Sequence, residues 1–330
     1  MKTKRILYAV QGTGNGHVAR AREIIPILKK YGQIDILLSA DQSEVDLGHK
    51  VRFRFPGLTF LYNQKGGLSY WQTFLKNNPL QLIRDIWKLP VKAYDLVVVD
   101  FEFTAAWACR LRGVPSIALG HQAAFLSDRT PRPAKRMWWG ECILKWYAPC
   151  SRALGFHFDQ FDSFIKTPVI RSEVRSLRPE FKGHYCVYLP AFGSAELESV
   201  LSGFQNTQWE VFSRSTSSAY RSGNLHFQPI DNDRFLERLR TCNGVLMSAG
   251  FEGPSEALFL GKKVCVLPIK GQYEQMCNAA ALDSFGVHVL SDLSDTQKIR
   301  QWIDSPPIER FDFPDQTDAL VRRHIFDLDE

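Results

Sequence analysis

The sequence lacks the features that would place it in a membrane or in the secretory pathway. Its 330 residues contain no run approaching the roughly 20 uncharged apolar residues that a bilayer-crossing helix needs. The apolar run near the N-terminus, Ile6–Val10, is too short and begins too early for a signal peptide. We therefore expect a cytoplasmic protein.

Paired cysteine motifs are lacking, and charge of one sign is not in large excess. The seven cysteines are odd in number and form no C-x-x-C pair, so neither a disulfide framework nor a zinc site is indicated. We expect small buried thiols in a reducing compartment. The net charge of +6 suits anionic small molecules, lipid headgroups or nucleic acid and does not choose among them. No nucleic-acid recognition motif is present, so no nucleic-acid partner is predicted.

What the sequence has is a repeated alternation of short apolar runs and longer amphipathic stretches, which is typical of β-α units on a parallel sheet. In the first half the pattern predicts strands over 6–10, 34–39, 58–62, 96–99 and 116–119, and helices over 19–30, 79–89 and 104–112. In the second half it predicts strands over 185–189, 209–213, 225–229, 244–247 and 264–267, and helices over 195–201, 231–240, 254–260 and 274–285. The fold class is therefore α/β.

The length and the two sets of β-α units predict two doubly wound domains. We place an N-terminal domain at residues 1–170, a polar, charge-rich linker at 171–182 and a C-terminal domain at 183–305. The tail at 306–330 is rich in Asp and Phe, and its residues 318–326 are compatible with one more helix that packs back on the N-terminal domain.

A glycine-rich turn follows the first predicted strand and leads into a helix that we expect to begin near Val18. Glycines let the backbone approach a ligand, and the N–H groups that open a helix form an anion site. The dinucleotide fingerprint G-x-G-x-x-G would need glycine at His17, which argues against a nicotinamide enzyme. The predicted phosphate or acceptor loop is Gly12, Thr13, Gly14, Asn15 and Gly16.

His17 ends this turn, where a histidine acts as a general base toward a hydroxyl or donates a hydrogen bond to a phosphate. The alternative is a histidine that caps the helix or binds a neighbouring carbonyl. The strand at 96–99 delivers Asp100 and Glu102 to the same sheet edge, where a carboxylate would orient His17 or be the base itself. Capping of the helix that begins near Thr104 is the other interpretation. His121, which also follows a predicted strand, is the further histidine of interest.

A second strand, turn and helix occupy residues 244–257. The turn amides would face an anion, and the Glu256 carboxylate would accept hydrogen bonds from ribose hydroxyls. Alternatively, Ser255 and Glu256 only favour a helix N-terminus. The loop after the next strand adds amide and carboxylate groups suited to a sugar ring. The candidate donor-binding residues are Ser248, Ala249, Gly250, Phe251, Glu252, Gly253, Ser255, Glu256, Gln272, Glu274, Gln275 and Asn278.

Residues 248–278 resemble the nucleotide-sugar site of GT-B glycosyltransferases, particularly the family of the peptidoglycan enzyme that adds N-acetylglucosamine to lipid I. The run from Gly12 to Val18 is similar to that family's first loop, including its histidine. The resemblance implies two Rossmann-like domains facing across a cleft, with the acceptor in the first and a nucleotide sugar, UDP-linked in our expectation, in the second. It places Glu256 at the ribose, residues 248–253 at the diphosphate, Gln275 and Asn278 at the sugar, and His17 at the diphosphate or acceptor hydroxyl.

Such a site predicts glycosyl transfer with inversion, because the acceptor hydroxyl would attack in line with the departing diphosphate. Helix N-termini and turn amides would stabilise the leaving group, so we predict no metal and no cofactor. The expected acceptor is a carbohydrate, a lipid-linked molecule or a small molecule, in the context of cell-envelope polysaccharide. Asn15, Phe251 and Glu252 depart from the peptidoglycan enzyme, so the acceptor need not be lipid I. A sugar-nucleotide epimerase and a non-catalytic nucleotide-sugar-binding protein remain as alternatives.

Residues 132–147 interleave three tryptophans with arginine and lysine. One interpretation is an amphipathic face that rests on an anionic membrane, which would make the protein peripheral at the inner face. The other is a helix that packs over the N-terminal core with its basic groups in water.

Overall fold

The computed structural model describes residues 3–13, 15–39, 46–57 and 78–327. The chain divides into two compact units: the first comprises Met1–Thr130, Ala134–Arg171 and Pro314–Glu330, and the second Pro131–Pro133 and Ser172–Phe313. Residues 172–182, predicted as a linker, therefore group with the second unit, as do residues 306–313 of the predicted tail. The strand predicted over 58–62 and the loop residue Gly14 lie outside the described residues.

The first unit is built on a parallel sheet, for which the described residues supply seven strands. They are β1 (Lys4–Gln11), β2 (Gly32–Ser39), β3 (Phe53–Phe55), β4 (Leu96–Asp100), β5 (Ile117–Gly120), β6 (Arg152–Phe156) and β7 (Ile165–Lys166), in the order β3-β2-β1-β4-β5-β6-β7. Residues 6 to 10 of β1 are completely buried. A central parallel strand is covered on both faces, which is why it reads as a continuous apolar run.

Helices connect these strands. They are α1 (Asn15–Lys29), α2 (Pro79–Lys88), α3 (Phe103–Arg112) and α4 (Trp138–Trp146), with short 3-10 turns at Val91–Ala93 and Gln122–Leu126. The chain returns to this unit at its end with α11 (Thr317–Val321) and a π-helical turn at Arg322–Phe326. There the Phe326 ring stacks 4.4 Å from that of Tyr31, and Lys30 lies 2.5 Å from Asp318.

The second unit repeats the plan. Its strands are β8 (His184–Tyr188), β9 (Gln208–Phe212), β10 (Tyr220–Ser222), β11 (Leu225–Gln228), β12 (Gly244–Ser248), β13 (Lys263–Leu267) and β14 (His288–Val289), in the order β10-β11-β9-β8-β12-β13-β14. Only β10 runs antiparallel to its neighbour among these described pairings. Its helices are α5 (Ser172–Arg175), α6 (Ser194–Leu201), α7 (Asn232–Thr241), α8 (Glu252–Phe259), α9 (Tyr273–Ser284) and α10 (Thr296–Asp304).

The structure confirms the predicted strands and helices within the described ranges, with differences at their ends and some omissions. Helix α1 begins at Asn15, three residues before the expected start at Val18, because Gly16 is accommodated in its first turn despite a low helix propensity. The sequence interpretation missed the short edge strands, the inner strand β6 and all of α10. That helix packs Ile299 and Trp302 into the core, with the Trp302 ring 5.0 Å from that of Tyr185.

Within the described ranges, no helix combines the length and the apolar character that spanning a bilayer requires.

Candidate functional site

The carboxyl ends of β1 and β4 lie side by side at one edge of the first unit's sheet. Val10 of β1 is in register with Asp100 of β4, so the turn after β1 and the turn after β4 leave the sheet together. In open parallel sheets, ligands bind beyond the carboxyl ends of the strands, at the point where the strand order changes direction. In this sheet that point lies between β1 and β4. Of the three predicted catalytic residues, Asp100 ends β4, Glu102 lies two residues beyond it, and His17 lies in the first turn of the helix after β1.

The structure brings His17 and Asp100 into direct contact. His17 Nδ1 lies 2.7 Å from Asp100 Oδ1, and the Asp100 side chain is fully buried while 12% of the His17 side chain is exposed. A carboxylate accepts hydrogen bonds only, so this contact selects the tautomer in which Nδ1 carries the proton. The lone pair then belongs to Nε2, which is the arrangement that a histidine base requires.

Arg20 binds both oxygens of the Asp100 carboxylate. Its Nη2 lies 2.7 Å from Oδ1 and 2.9 Å from Oδ2, and its Nε lies 3.1 Å from Oδ2. Burial acts to raise the pKa of Asp100, but the Arg20 and His17 charges and hydrogen bonds outweigh it and hold that pKa below its ordinary value. Asp100 is therefore a carboxylate in the folded protein. Sequence reasoning missed Arg20, although its position three residues after His17 in a helix places both on one face.

Glu102 has a different environment from Asp100. Its buried carboxylate accepts hydrogen bonds from the backbone N–H groups of Thr104 at 2.9 Å and Ala105 at 2.6 Å, and from Ser39 Oγ at 2.8 Å. It is the N-cap of α3, so the capping interpretation is confirmed for this residue. Burial raises the pKa of Glu102, and the hydrogen bonds oppose the rise.

Phe101 separates the two carboxylates and has a left-handed backbone, with φ of 48°. Such a conformation is uncommon for a residue with a side chain and costs about 1 kcal/mol or more. The Phe101 ring lies parallel to the His17 imidazole at 6.4 Å and packs 4.6 Å from the ring of Tyr147. The turn thus places an aromatic wall beside the histidine.

His121 is part of the packing of the first unit. It is buried, its Nδ1 lies 2.9 Å from the Phe156 carbonyl oxygen, and its ring lies 4.9 Å from that of His157. The next residue, Gln122, is the one that approaches the candidate base, with Nε2 3.4 Å from His17 Nε2. Strand position indicates this segment, but it does not tell which of the two side chains approaches His17.

The described part of the glycine-rich turn is fixed to the sheet. The Gly12 N–H donates to the Ser39 carbonyl at 2.6 Å, and Thr13 Oγ1 accepts from Gln11 Nε2 at 3.1 Å. Asn15 and Gly16 lie in the first turn of α1. Their N–H groups belong to the helix N-terminus, where a helix offers its positive end.

The candidate donor residues of the second unit lie on two neighbouring strand ends. Ser248 ends β12 in register with Leu267 at the end of β13, so the turn at 248–253 and the loop at 268–275 share one sheet edge. Helix α8 begins at Glu252, and Ser255 Oγ donates to the Phe251 carbonyl at 2.8 Å. A Cβ on Gly253 would lie 3.1 Å from Met247 Sδ, so a larger residue there would press on the strand.

The two donor segments are tied together by Asn278. This residue of α9 is completely buried, and its Nδ2 donates to the Ala249 carbonyl at 3.1 Å. Gln275 accepts from the Ile269 N–H at 3.0 Å and donates to Gln272 Oε1 at 2.9 Å. These contacts set the shape of the loop and of the turn, which is a role that sequence reasoning had not assigned to them.

Two further predicted donor residues lie near the helix starts. Glu256 is 3% exposed and lies in the second turn of α8, and Glu274 lies in the first turn of α9. An acidic side chain near a helix N-terminus is stabilised by the helix dipole. The structure thus gathers the predicted donor residues at one edge of the second unit's sheet.

Comparison with known proteins adds to this geometry. Residues 4–307 match the family model described as "Glycosyl transferase family 1". No curated protein matches the sequence.

Three solved structures illustrate the fold that this chain resembles. UGT89C1 of Arabidopsis thaliana, solved in complex with UDP, is 12% identical with a TM-score of 0.60, covering 98% of this chain and 94% of that one. MurG of Acinetobacter baumannii is 14% identical with a TM-score of 0.55, covering 97% and 95%. The glycosyltransferase SnogD of Streptomyces nogalater is 12% identical with a TM-score of 0.54, covering 98% and 94%. At these identities the likeness shows the fold.

Proposed function

Because the chain belongs to glycosyl transferase family 1 and has the GT-B fold, we propose that it transfers a sugar from a UDP-linked donor to an acceptor hydroxyl, with inversion and without a metal. The observation that carries this proposal is the contact between His17 Nδ1 and the buried Asp100 carboxylate at 2.7 Å. It supplies a histidine oriented as a general base at the ligand-binding edge of the first unit.

In the proposed reaction His17 Nε2 takes the proton of the acceptor hydroxyl as its oxygen attacks the anomeric carbon. The new bond forms between that oxygen and the carbon, and the bond between the carbon and the diphosphate oxygen breaks. Asp100 stabilises the imidazolium that forms, because its carboxylate lies against Nδ1. The acceptor enters opposite the leaving diphosphate, so the anomeric configuration inverts.

The second unit would hold the donor. We propose that the amides of the turn at 248–253 and the N-terminus of α8 bind the diphosphate, since helix N-termini bind anions. The Glu256 carboxylate would accept hydrogen bonds from the ribose, and Gln272, Glu274 and Gln275 would face the sugar. Binding of UDP to the similar fold of UGT89C1 supports a uridine donor. Asn278 would act by positioning the turn through its hydrogen bond to Ala249.

Metal independence is part of the proposal. Amide and helix-terminus dipoles would stabilise the departing diphosphate. Asp231 and Asp233 form a D-x-D pair, a pattern that can ligate a metal, after β11. Asp231 is instead engaged as the cap of α7, where its carboxylate accepts a hydrogen bond from the Arg234 N–H at 2.8 Å. We expect turnover to persist in excess EDTA, and a requirement for Mg²⁺ or Mn²⁺ would contradict this part of the proposal.

We also propose that the protein works in the cytoplasm, at the inner face of the membrane, on a carbohydrate, lipid-linked or small-molecule acceptor of the cell envelope. Helix α4 packs Leu144 inward but leaves Trp138 74% and Trp146 52% exposed. Lys145 lies beside the second of these rings. Interfacial tryptophan next to lysine suits an anionic membrane surface. Sedimentation with anionic and neutral vesicles tests this contact.

The central experiment identifies the donor and then the reaction. Saturation-transfer NMR with UDP, GDP and dTDP sugars should show binding of a UDP sugar. Addition of candidate acceptors should then release UDP, and the product's anomeric configuration should be opposite to that of the donor. Epimerised donor without transfer would indicate an epimerase, and binding without turnover across acceptors would indicate a binding protein; either result would overturn the proposal.

Removing the Glu256 carboxylate should mainly weaken donor binding. Because a hydrogen bond to a charged group contributes about 1.5–3 kcal/mol, Glu256→Ala is expected to raise the Kd for UDP by about ten- to a hundredfold. Isothermal titration with UDP measures the change. Glu237→Ala, which removes a surface carboxylate of the same unit, serves as the control. Equal UDP affinity in wild type and Glu256→Ala would contradict the ribose assignment.

Glu102 should affect stability rather than turnover. Loss of the N-cap in Glu102→Ala is expected to lower the unfolding free energy by about 1–2 kcal/mol, because the N–H groups of Thr104 and Ala105 lose their acceptor. Urea denaturation measures this change, and kcat should stay within about threefold of wild type. A collapse of kcat in a folded variant would return Glu102 to the list of reacting groups.

A further inference from the structure

We propose that Arg20 is a positioning residue of the transfer reaction: it fixes the Asp100 carboxylate and balances its charge, and so sets both the tautomer of His17 and the pH range in which His17 acts as a base. The inference rests on the proposed function, and it concerns a side chain that no family motif or sequence pattern assigned. Arg20 acts through Asp100, to whose carboxylate it donates. Its Nη2 also lies 3.2 Å from His17 Nδ1, but an Nδ1 that carries the proton cannot accept a hydrogen bond from it.

The contacts between Arg20 and Asp100 fix the position and the orientation of the carboxylate. Two guanidinium nitrogens engage both carboxylate oxygens at 2.7 to 3.1 Å, so the carboxylate plane cannot rotate without breaking a bond. Arg20 is 3% exposed and Asp100 is fully buried, so water does not compete for these bonds. The Oδ1 atom that Arg20 holds is the same atom that contacts His17 Nδ1.

The charges around His17 oppose one another. Among the described residues, the charged groups in contact with the imidazole are Asp100 and Arg20, whose Nη2 lies 3.2 Å from Nδ1. Gln122, which lies on the Nε2 side, is neutral. Asp100 alone would favour the imidazolium, which is protonated and unable to act as a base. The Arg20 charge opposes this effect at short range, because the guanidinium and the carboxylate form an ion pair beside the imidazole.

Gly120 provides the space that this arrangement needs. A Cβ at position 120 would lie 2.7 Å from Asp100 Oδ1 and 3.1 Å from Arg20 Nη2. A methyl group there cannot be accommodated unless the carboxylate or the guanidinium moves. Gly120→Ala therefore displaces the pair while leaving every charge in place, which separates the geometric role of Arg20 from its electrostatic role.

Three variants test the proposal. Arg20→Lys keeps the charge but loses the fork, so kcat is expected to fall about ten- to a hundredfold with an unchanged KM and an unchanged acid limb of the pH profile. Arg20→Gln loses both, so kcat should fall and the acid limb of kcat/KM should move up by about one pH unit. Gly120→Ala should resemble Arg20→Lys.

Arg112→Gln is the matched control. It removes an arginine at the end of α3 that lies far from Asp100, and we expect no movement of the acid limb.

A readout without turnover completes the test. Proteins labelled with 15N-histidine, with His17→Gln to assign the signal, should show His17 as the Nδ1–H tautomer in wild type and as a mixture in Arg20→Lys and Gly120→Ala. If Arg20→Gln does not fold, as judged by circular dichroism, these two variants carry the result. An unchanged His17 tautomer in folded Arg20→Lys and Gly120→Ala would overturn the proposal, and so would an unchanged acid limb in folded Arg20→Gln. If the tautomer changes in the variants as expected but the wild-type protein shows no transfer activity, the result would count against the proposed function alone.

Discussion

His17→Ala is expected to lower kcat by about 10²- to 10⁴-fold, which is the range that a positioned general base contributes. The loss should fall on kcat and leave the affinity for UDP unchanged, because His17 belongs to the first unit and the proposed donor residues belong to the second. Initial rates of UDP release over a range of donor and acceptor concentrations measure the split between kcat and KM.

The control for this variant is a histidine of the same unit outside the site. His49 lies beside Lys29 on α1, and His49→Ala should keep wild-type kcat. A fall in UDP affinity equal to the fall in kcat would mean that His17 binds the diphosphate. That outcome would leave another group to deprotonate the acceptor.

Asp100→Asn is expected to impair both stability and turnover. The neutral amide cannot balance the buried Arg20 guanidinium, and breaking a buried ion pair on one side costs about 3–5 kcal/mol. It also removes the acceptor-only partner that selects the Nδ1–H tautomer of His17, so kcat should fall by at least about 10²-fold in the molecules that remain folded. Denaturant unfolding and UDP release measure the two effects, and wild-type stability in the variant would contradict the buried pair.

The pH dependence of this stability has a defined direction. Because the pKa of Asp100 is lower in the folded protein than its ordinary value of about 3.9, the carboxylate contributes stability above that pH. The contribution is lost as the pH falls below about 4 toward the folded-state pKa. The stability difference between wild type and Asp100→Asn should therefore shrink from pH 7 to pH 3. Burial raises the pKa of Glu102, so its effect on stability has the opposite pH dependence. Because Glu102 is present in both proteins, that effect cancels from the stability difference.

The central strands and most helices could be predicted because their patterns are strong. Strand β1 is buried on both faces and α3 ends at Gly113, which has the left-handed φ of 65° that a helix-stop glycine adopts. The edge strands were missed because strands of two or three residues, such as Ile165–Lys166, carry too few alternating positions to register. Helix α10 was missed because its buried Ile299 and Trp302 are separated by polar residues.

The candidate site was predictable in its location but not in its contacts. Parallel strands bring their carboxyl ends together, so His17, Asp100 and Glu102 could be placed at one edge from strand positions alone. Which carboxylate meets the histidine depends on the turn at Phe101, and a single backbone angle of this kind has no sequence signature when the residue is not glycine. Arg20 was missed because helical arginines are commonly solvated, and its burial depends on the neighbouring strand.

The left-handed backbone at Phe101 makes the acids on either side of it independent of each other. Without that reversal, Asp100 and Glu102 would leave the strand toward the same face, and one site would have to hold two negative charges. With it, one acid serves the imidazole and the other anchors a helix, so natural variation or engineering can alter proton transfer without weakening α3. A glycine at position 101 would relieve the strain of the left-handed backbone. It would also remove the Phe101 ring that packs between His17 and Tyr147, so the surroundings of the imidazole would be less ordered.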